Sequence, residues 1–555
     1  MIRNPSGVGT YDFSNNPVDI SIERSQFPMS FSCVESMNAG YLVPYRPIEV
    51  LPGDSFKIRL KDITRMATPA VPVMDDCYKD FYAFFVPRRL VWEHWQEFCG
   101  ENKTGYWAQT TKYEIPHVKC DAAEGGDPGT SVFAKSVFDY MGIPVGVSGI
   151  SIDACYSRAY ALVWNEYFRD QNLQPSAAVP LTDYDTSYPV SGDPWLTAAE
   201  GGDLLPVCKF HDYFTSALPG PQKALNAVSV PVSGIIVKNN ENHVGLGNTF
   251  LPHFYSTSQG GAVSSNATLG VAAGGNLSKV SQSGAPTMSS NFFLSLTGTG
   301  GSISVSDMRT GFALQRMYEK MARGGTRYRE LLKSFFGVSN GDDRMQVPEY
   351  LGHIRTRINM QQVVQTSGSN ITGSDTPQGN TAAYSLTGTD DYIVDRGFTE
   401  HGILMIVCCI RQRHTYQQGI PAMFTRRKFT DFYLPTFAHL GEQPILNKEI
   451  YVTGTSTDDQ TFGFKEAWSE YRFNSNYVAG ECRSSFSQSL DIWHYADDYD
   501  KLPTLSSDWI AEDASGIKRS LAVQTHDQFI SSTYFEIMAA RPMPIHSIPG
   551  LIDHY

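Results

Sequence analysis

The sequence predicts a mainly β fold, an antiparallel barrel with long helical and loop insertions. Three observations predict it: an aromatic strand that is apolar on both faces, strands near both ends of the chain in which apolar and polar residues alternate, and many turn-forming residues. The 555 residues include 47 glycines and 31 prolines, which imply many turns and long irregular connections. Because all-β folds with insertions often keep one hydrophobic centre, this length does not require several domains.

The aromatic strand covers residues 81–86 and is followed by Pro87. Side chains alternate between the two faces of a strand, and here both faces are apolar, so the strand is predicted to be interior. Proline cannot donate to a ladder and ends it. An apolar stripe at i, i+4 and i+7 follows, formed by Val91, Trp95 and Phe98, and predicts a helix. Gly100 is predicted to end that helix.

Two further strands show a regular alternation of apolar and polar residues. In residues 56–61, phenylalanine, isoleucine and leucine alternate with lysine and arginine, which predicts one face on the core and one on water or a polar partner. A similar alternation in residues 534–539 predicts that the sheet uses both ends of the chain. The apolar run 403–410 is far shorter than the ~20 residues of a membrane-spanning helix and is predicted to be a buried strand.

Helical patterns lie between these strands. Residues 157–170 carry Tyr160, Trp164 and Tyr167 in helical register. Residues 307–337 are predicted to form two helices, because Gly324 and Gly325 interrupt the pattern. Thr326 is the predicted N-cap of the second helix, and Gly337 its C-terminal cap.

Residues 224–306 differ in composition from the rest of the chain. Glycine, serine, asparagine, threonine and alanine dominate there, and the charged residues are limited to Lys238, Glu241 and Lys279. Apolar pairs at 235–236 and 292–294 indicate short strands in a projecting loop. A second polar stretch, 365–391, is predicted to be another surface loop.

Cysteine content and charge limit the functional class. The nine cysteines include no C-x-x-C pair, and an odd number argues against a closed disulfide framework, so reduced thiols are predicted. The first residues lack the apolar core of a signal peptide, which favours folding in a cytosol. The net charge of −13 argues against a surface that binds nucleic acid everywhere, although an acidic chain can still present a basic face.

Several blocks of sequence together resemble the major capsid protein of the Microviridae, small tailless single-stranded DNA phages, and especially that of the gokushovirus branch. The blocks are collinear and cover nearly the whole chain except its middle. They are residues 81–95, 159–173, 211–219, 322–328, 348–352, 446–451 and the tail from 540–544 through 551–554.

The resemblance implies an eight-stranded antiparallel jelly roll of the viral-coat type, with strands drawn from 28–90 and 400–555. It also gives a division of the chain into five segments. These are an N-terminal arm with the first part of the jelly roll at 1–100, a helical and loop insertion at 101–223, a variable protruding insertion at 224–306, a helical segment with a surface loop at 307–399, and the remaining jelly roll with a C-terminal arm at 400–555.

The implied function is structural, with no enzymatic activity, no cofactor and no metal site. Identical copies would assemble into a T=1 icosahedral shell around a circular single-stranded DNA genome, with other virion and scaffolding proteins as partners. The protruding insertion would serve host attachment through a surface receptor, with a glycan among the candidates. The protein would belong to the virion, be assembled in the host cytoplasm, and not insert into a membrane.

Two basic clusters are candidates for DNA contact on the inner surface of such a shell. Mobile cations bind phosphates and unpaired bases stack on aromatic rings, and tyrosines or phenylalanines accompany both clusters. A solvated or intersubunit ionic face is the alternative, since Glu319 and Glu330 lie nearby. The candidate residues are Arg316, Lys320, Arg323, Arg327 and Arg329 in the helical pair, and Arg426, Arg427 and Lys428 between two phenylalanines.

Three further motifs each have a simpler structural interpretation. Cys208 and His211 have a C-x-x-H spacing without a second pair, which favours a buried structural thiol over a metal site. Glu466 and Glu470 stand one helical turn apart, which is more typical of a solvated face than of a glycosidase pair. Gly324 to Thr326 lack the strand and lysine of a phosphate-binding loop, so a helix break and cap is favoured.

Two alternatives stay open at this stage. The proline-rich tail 541–550 either docks on a neighbouring copy or packs on its own subunit. The abundance of tryptophan, tyrosine, glycine and asparagine also fits a β-sandwich carbohydrate-binding or carbohydrate-active protein.

Overall fold

The computed structural model describes residues 24–101, 103, 111–120, 134–147, 149–188, 193–223, 305–325, 327–337, 346–371, 374–376, 378–379 and 381–546, together with six short strands between 238 and 293. The chain divides into two compact units, one formed by residues 1–221 and 324–555 and the other by 222–323. Residues 1–23, at the start of the segment predicted to hold the N-terminal arm, and residues 547–555, which include the end of the proline-rich tail, lie outside the described residues.

The larger unit is built on two antiparallel sheets of five strands each. Their ten strands are β1 (Ser25–Pro28), β2 (Phe31–Met37), β3 (Val43–Pro44), β4 (Ile48–Val50), β5 (Ser55–Met66), β6 (Cys77–Pro87), β7 (Glu349–Arg357), β8 (Thr387–Gly397), β9 (Gly402–Gln412) and β10 (Phe529–Arg541). The first sheet has the order β1-β10-β5-β8, and β2 also pairs with β10. The second has the order β7-β6-β9-β3, and β4 also pairs with β9. The prediction of a mainly β, antiparallel fold is confirmed.

The alternation predicted near both chain ends sets the first sheet. In β5 and β10, which pair from Ser55 with Ala540 to Met66 with Phe529, every second residue is buried. Phe56 and Phe535 face inward, whereas Lys57 faces outward. The early and late parts of the chain therefore share one sheet, as predicted.

The central strands of the second sheet are buried on both faces. β6 pairs with β9 from Cys77 with Gln412 to Pro87 with Gly402, and β7 flanks β6 on its other side. Phe84 and Met405 face one way and Phe85 and Leu404 the other, and all four are at most 5% exposed. An interior position explains why these strands lack a polar face.

The second sheet lies between the first sheet and a helical layer. Alternate residues of β6 and β9 join a core with the first sheet, and the remaining ones join a second core with α1 (Ala154–Val163), which continues as a π-helical turn, Trp164–Phe168. Tyr160 on α1 donates a hydrogen bond to the Leu42 carbonyl (2.7 Å) and accepts one from the Leu205 amide (3.0 Å). The predicted helix at 157–170 therefore exists and is anchored by buried polar contacts.

A polar cluster occupies the core between the two sheets. The Lys79 ammonium lies 3.2 Å from Asp62 and donates to Ser531 at 2.6 Å. Thr533 and Ser531 both donate to the same Asp62 oxygen. Because a buried charge requires a partner, these contacts explain how a lysine with 1% exposure is tolerated.

The remaining elements of the larger unit are short. Helix α3 covers Tyr328–Phe336, and single helical turns lie at Trp95–Phe98, Val137–Tyr140, Pro194–Thr197, Asn447–Ile450, Ser507–Ile510 and Ser515–Ser520. Small antiparallel ladders join Met360–Val364 with Thr381–Ser385, Ser369–Ile371 with Ser374–Thr376, and Glu442–Leu446 with Thr461–Glu466; His117–Cys120 pairs with Ile150–Asp153 and Thr186–Ser187.

The smaller unit contains most of helix α2 (Val305–Gly324) and three two-stranded ladders. The ladders pair Lys238–Asn239 with Phe292–Phe293, Phe254–Ser256 with Met288–Ser290, and Leu269–Val271 with Leu277–Lys279. A short strand at 292–293 agrees with the prediction, whereas 235–236 lies outside the described residues.

Several details differ from the predictions. The described strands form two antiparallel sheets in which no closed barrel is detected, so the predicted jelly-roll barrel is not confirmed by the strand pairing alone. β7 and β8 come from the 307–399 segment, which was predicted to be helix and loop. The 365–391 stretch, predicted to be a surface loop, contains short antiparallel strands at 369–371, 374–376 and 381–385. These strands carry polar residues on both faces, so the sequence shows no apolar face there. Hydrogen bonding across a hairpin does not require an apolar face.

The helix predicted from Val91 to Phe98 is reduced to one turn at Trp95–Phe98. Contacts with distant residues compete with helix formation there: the Val91 carbonyl accepts from Arg158 and the Trp92 indole donates to Asp183 at 2.6 Å.

The predicted pair of helices at 307–337 is confirmed, since α2 and α3 flank the glycines and Gly337 ends α3 in the left-handed conformation. Arg327 occupies the N-cap position, and Thr326, the predicted cap, lies outside the described residues.

Candidate nucleic-acid interface

The basic residues predicted on the helical pair have different surroundings. Arg316, Lys320 and Arg323 lie on α2 in the smaller unit, with exposed side chains. Arg329 lies on α3, and its side chain is outside the described part.

Arg327, at the start of α3, is bound to its own subunit. Its guanidinium lies 3.5 Å from Glu166 and 3.4 Å from Glu330, donates to the Asn165 carbonyl, and is only 14% exposed. The Glu330 carboxylate also accepts from the Arg327 amide at 3.1 Å, which caps the helix. For this residue the contacts favour the ionic interpretation over DNA contact.

The second predicted cluster likewise contains both paired and exposed basic residues. The Arg426 guanidinium lies 3.2 Å from Glu470 and 4.3 Å from the centre of the Tyr471 ring, and 13% of its side chain is exposed. Arg427 and Lys428 are exposed, and their backbone amides donate to Asp431 at 2.9 and 2.8 Å. Only the latter two side chains of this cluster are therefore well placed to meet a ligand.

A basic groove that the sequence did not predict lies at the end of β6, β7 and β9. Two adjoining cavities of about 310 and 740 Å³ form it, and they share Phe210, His211 and Arg355 in their linings. The lysines and arginines that line it are Lys209, Arg355, Arg411, Arg413, Lys465 and Arg472. Asp212 is the one carboxylate among these described lining residues. Carboxylates behind the lining balance part of this charge: Asp80 pairs with Arg355 and Arg411, Asp497 with Lys209, and Glu466 with Arg472.

Asp80 orients two of these arginines from beneath the groove. Its fully buried carboxylate accepts two hydrogen bonds from Arg355 (2.6 and 3.0 Å) and one from Arg411 (2.7 Å), and His353 Nε2 lies 3.2 Å away. Burial alone would raise the pKa of Asp80, but the hydrogen bonds from His353 and Arg355 and the charge of Arg411 outweigh it and hold that pKa well below its usual range. The carboxylate is therefore ionised and fixes the direction of both guanidinium groups.

Aromatic rings form the other wall of the groove. Phe210 lies 4.8 Å from the Arg355 guanidinium and 4.2 Å from that of Arg411, a cation–π arrangement. Tyr350 is 45% exposed and packs at a tilt against its aromatic neighbours, with its ring centre 5.8 Å from that of Phe84 and 6.4 Å from that of Tyr167. The groove thus combines fixed cations with an accessible ring.

Lys465 and Arg413 differ in their freedom to bind a ligand. The Lys465 ammonium lies 4.3 Å from the Tyr213 ring centre and donates to the Tyr213 carbonyl, and burial lowers its pKa to about 8. The Arg413 side chain is exposed, with its guanidinium 6.0 Å from the ring centre of Tyr78. Arg413 is therefore an exposed cation of the groove, as are Arg355 and Arg472, whereas Lys465 is partly buried.

Sequence reasoning missed this groove because its cations come from distant segments. His353 and Arg355 stand two residues apart on one face of β7, and Arg411 near the end of β9 is followed two residues later by Arg413, just beyond the strand. Basic residues at i and i+2 in or just beyond two strands were a usable signal. Their pairing across β6 could not be read from the sequence.

The weaker candidate sites find no support in the described residues. Glu466 ends a strand and Glu470 lies in a single 3-10 turn, so the assumed helical spacing is wrong; each carboxylate is paired, with Arg472 at 2.7 Å and Arg426 at 3.2 Å respectively. No group of three or more potential metal-ligating side chains was found in the described part of the chain. Cys208 is a buried free thiol, as are four of the other seven cysteines whose side chains are described.

The segment 420–490 exposes many aromatic side chains. It is largely irregular, with short 3-10 turns and one small ladder. Phe424 is 71% exposed, Phe429 75% and Tyr477 77%; five further rings there, each at least 44% exposed, are Phe432, Tyr433, Tyr471, Phe473 and Phe486. We call these eight rings the exposed aromatic set. Apolar surface of this kind marks protein interaction sites.

Among the described residues, no helix combines the length and the apolar character that a membrane span needs.

Comparison with known proteins identifies the family. The family model of the phage capsid protein, F protein, matches residues 17–551. The chain belongs to this capsid protein family. The predicted resemblance to microvirus major capsid proteins is thereby confirmed.

Relatives in this capsid family are similar over nearly their whole length. Capsid protein VP1 of Spiroplasma virus 4 is 38% identical over 543 residues, covering 96% of each chain. The VP1 proteins of Bdellovibrio phage phiMH2K and Chlamydia phage 1 are 35% and 33% identical, covering 98% and 97% of each chain. The alternative of a carbohydrate-binding or carbohydrate-active protein receives no support from these relatives, and membership in a capsid family implies a structural, non-enzymatic role.

Proposed function

We propose that this capsid protein assembles as identical copies into a T=1 icosahedral shell enclosing a circular single-stranded DNA genome. The observation that carries the proposal is a full-length match to a capsid family in a chain that exposes a set of large aromatic rings. Buried in a subunit contact, large aromatic rings contribute strongly to association.

We also infer that the two sheets follow jelly-roll wiring. If β1 with β2 and β3 with β4 each count as one interrupted strand, eight strands remain, four in each sheet. The chain then crosses between the sheets at every step except from β6 to β7, which are neighbours in the second sheet. Alternation of this kind is expected for two interlocked Greek keys.

The exposed aromatic set is the proposed contact between copies. Two of its rings are held in place by a local contact: the Tyr471 ring centre lies 6.2 Å from that of Tyr433, and the Tyr471 hydroxyl accepts from the Tyr433 amide at 3.2 Å. Rigid, prearranged rings lose little entropy on association. This supports a packing surface rather than a mobile loop.

Further elements of the proposal concern the termini and partners. In the tail, Arg541 pairs with Asp54 at 3.4 Å and so packs on its own subunit, whereas Ile545 is 65% exposed and is available to a neighbour. The insertion 224–306 is proposed to protrude and contact a host receptor, with a glycan among the candidates. Other virion and scaffolding proteins are proposed partners, and assembly is proposed to occur in the host cytoplasm.

Expression of the full chain with a circular single-stranded DNA, followed by electron microscopy and nuclease treatment, tests the proposal. Uniform shells that protect the DNA are expected. A chain that stays monomeric under all assembly conditions, including added scaffolding proteins, would overturn it.

A further inference from the structure

We propose that the basic groove binds a short stretch of single-stranded DNA, with phosphates on its arginines and a base stacked on Tyr350. This inference rests on the proposed enclosure of a single-stranded genome and names the site that would contact it. The two adjoining cavities, about 310 and 740 Å³, fall in or near the ~300–1,000 Å³ range of ligand pockets.

The phosphate side of the site consists of arginines with different degrees of freedom. Arg355 is 44% exposed, so its guanidinium can contact a phosphate while two of its hydrogen bonds remain with Asp80. Arg413 is exposed and supplies a second cation in the larger cavity, whose lining also contains Arg355. Prior orientation by a buried carboxylate reduces the entropy lost on binding.

The base side of the site depends on Tyr350. Its ring is 45% exposed and backed by Phe84 and Tyr167, which fix its plane. A base in a duplex is already stacked on its neighbours and cannot reach such a ring, whereas a base in a single strand can. The combination of a free ring with oriented guanidinium groups therefore favours a single strand over a duplex.

Charge distinguishes DNA from a neutral glycan as the occupant. Sugars also stack on aromatic rings, but a neutral sugar gives no reason to place the exposed guanidinium groups of Arg355 and Arg413 in one groove. A strand with one phosphate per nucleotide does. An anionic, sulfated glycan shares the charge but lacks the flat bases, and the experiment separates the two.

The test measures binding of a fluorescein-labelled 12-nucleotide oligo(dT) to the purified full chain across a series of salt concentrations. The variants are Arg413→Gln, Arg355→Gln and Tyr350→Ala. Tyr350→Phe keeps the ring, and Arg65→Gln removes an exposed arginine from the outer face of the first sheet, so both serve as matched controls.

Removal of one phosphate contact should reduce the slope of log affinity against log salt by about 0.7 in each arginine variant. Tyr350→Ala should weaken binding on the order of tenfold, and both controls should bind like the natural chain. A duplex of the same length and a heparin-type oligosaccharide should compete poorly. Equal binding by all variants, or tighter heparin binding that these variants abolish, would overturn the proposal.

Electron microscopy of the same variants distinguishes failure of the groove proposal from failure of the proposed coat function. If the natural chain forms shells with protected DNA and the groove variants form the same shells with undiminished DNA and unchanged oligo(dT) affinity, the groove proposal fails and the coat function stands. If no variant or natural chain forms shells, the coat function fails whatever the oligonucleotide result.

Discussion

Gly352 on β7 lies directly against the backbone carbonyl of Ile393 on β8, at the place where the two sheets approach each other. Each strand has an irregular register there: Leu351 is an extra residue opposite β6, and Ile393 is an extra residue opposite β5. A Cβ atom at position 352 would overlap the Ile393 carbonyl oxygen. Two facing bulges and a glycine thus permit the close contact between neighbouring sheet edges.

Gly352→Ala should destabilise the protein by about 1–3 kcal/mol, because the added methyl group meets backbone that cannot move freely. Chemical denaturation measures the change. Gly388→Ala, on β8 with no atom within 4 Å of the added Cβ, is the control and should change stability by well under 1 kcal/mol. Equal effects of the two substitutions would contradict the proposed close contact.

His414→Gln should cost about 3–5 kcal/mol, since it removes the charge between two buried carboxylates. His414 is 3% exposed and lies 2.8 Å from Asp497 and 3.2 Å from Glu512. Burial alone would lower its pKa, but the two carboxylates raise it to about 10. Urea denaturation at pH 6 measures the loss.

The same histidine predicts a pH dependence of stability. Because its pKa rises from 6.5 in the unfolded chain to about 10 in the folded one, its contribution is complete below pH 6.5 and disappears as the pH rises through about 10. The stability difference between the natural chain and His414→Gln should therefore shrink across that range. A constant difference from pH 6 to 10 would show that His414 is not charged in the fold.

Glu35→Gln should stabilise the protein at pH 8 by roughly 2–4 kcal/mol and have little effect at pH 4. Burial in the core raises the pKa of Glu35 to about 7 despite the nearby charge of Lys79, whose ammonium already pairs with Asp62. The folded state thus favours a protonated Glu35, and the associated stability is lost as the pH rises through about 7. Thermal denaturation at the two pH values tests this, and an equal effect at both would count against it.

Phe424→Ser combined with Phe429→Ser should abolish shell formation while leaving the stability of the isolated subunit nearly unchanged. Both rings are more than 70% exposed, so their removal takes little from the subunit core. Sedimentation measures assembly and denaturation measures stability. Tyr184→Ser, which removes a ring that is 78% exposed on a different part of the larger unit, is a matched comparison. Normal shells from the double variant would exclude these rings from the proposed contact.

The parts of the fold that the sequence predicted are those with a strong local pattern. The patterns in β5, β10 and β9 predicted where these strands lie in the chain and which of their side chains are buried. They did so because one or both faces of each strand meet a core. The strand β8 was missed, since its residues 388–392 are polar or exposed and show no apolar face. The helix predicted from Val91 was reduced to one turn by hydrogen bonds to residues far away in sequence.

The candidate site was less predictable for a related reason. Clusters of charge along the sequence drew attention to Arg327 and Arg426, yet both guanidinium groups are bound within their own subunit. The groove instead collects Arg355 from β7 and Arg411 from β9 around Asp80, with Arg413 just beyond the end of β9. Such a site depends on strand pairing and becomes visible only in three dimensions.

Native mass measurement of the assembled protein determines how many copies form the shell. A uniform closed particle of about 60 identical chains, as a T=1 shell requires, with single-stranded DNA inside is expected. Particles without a fixed copy number, or a chain that stays monomeric with its scaffolding partners and DNA present, would contradict the proposed shell.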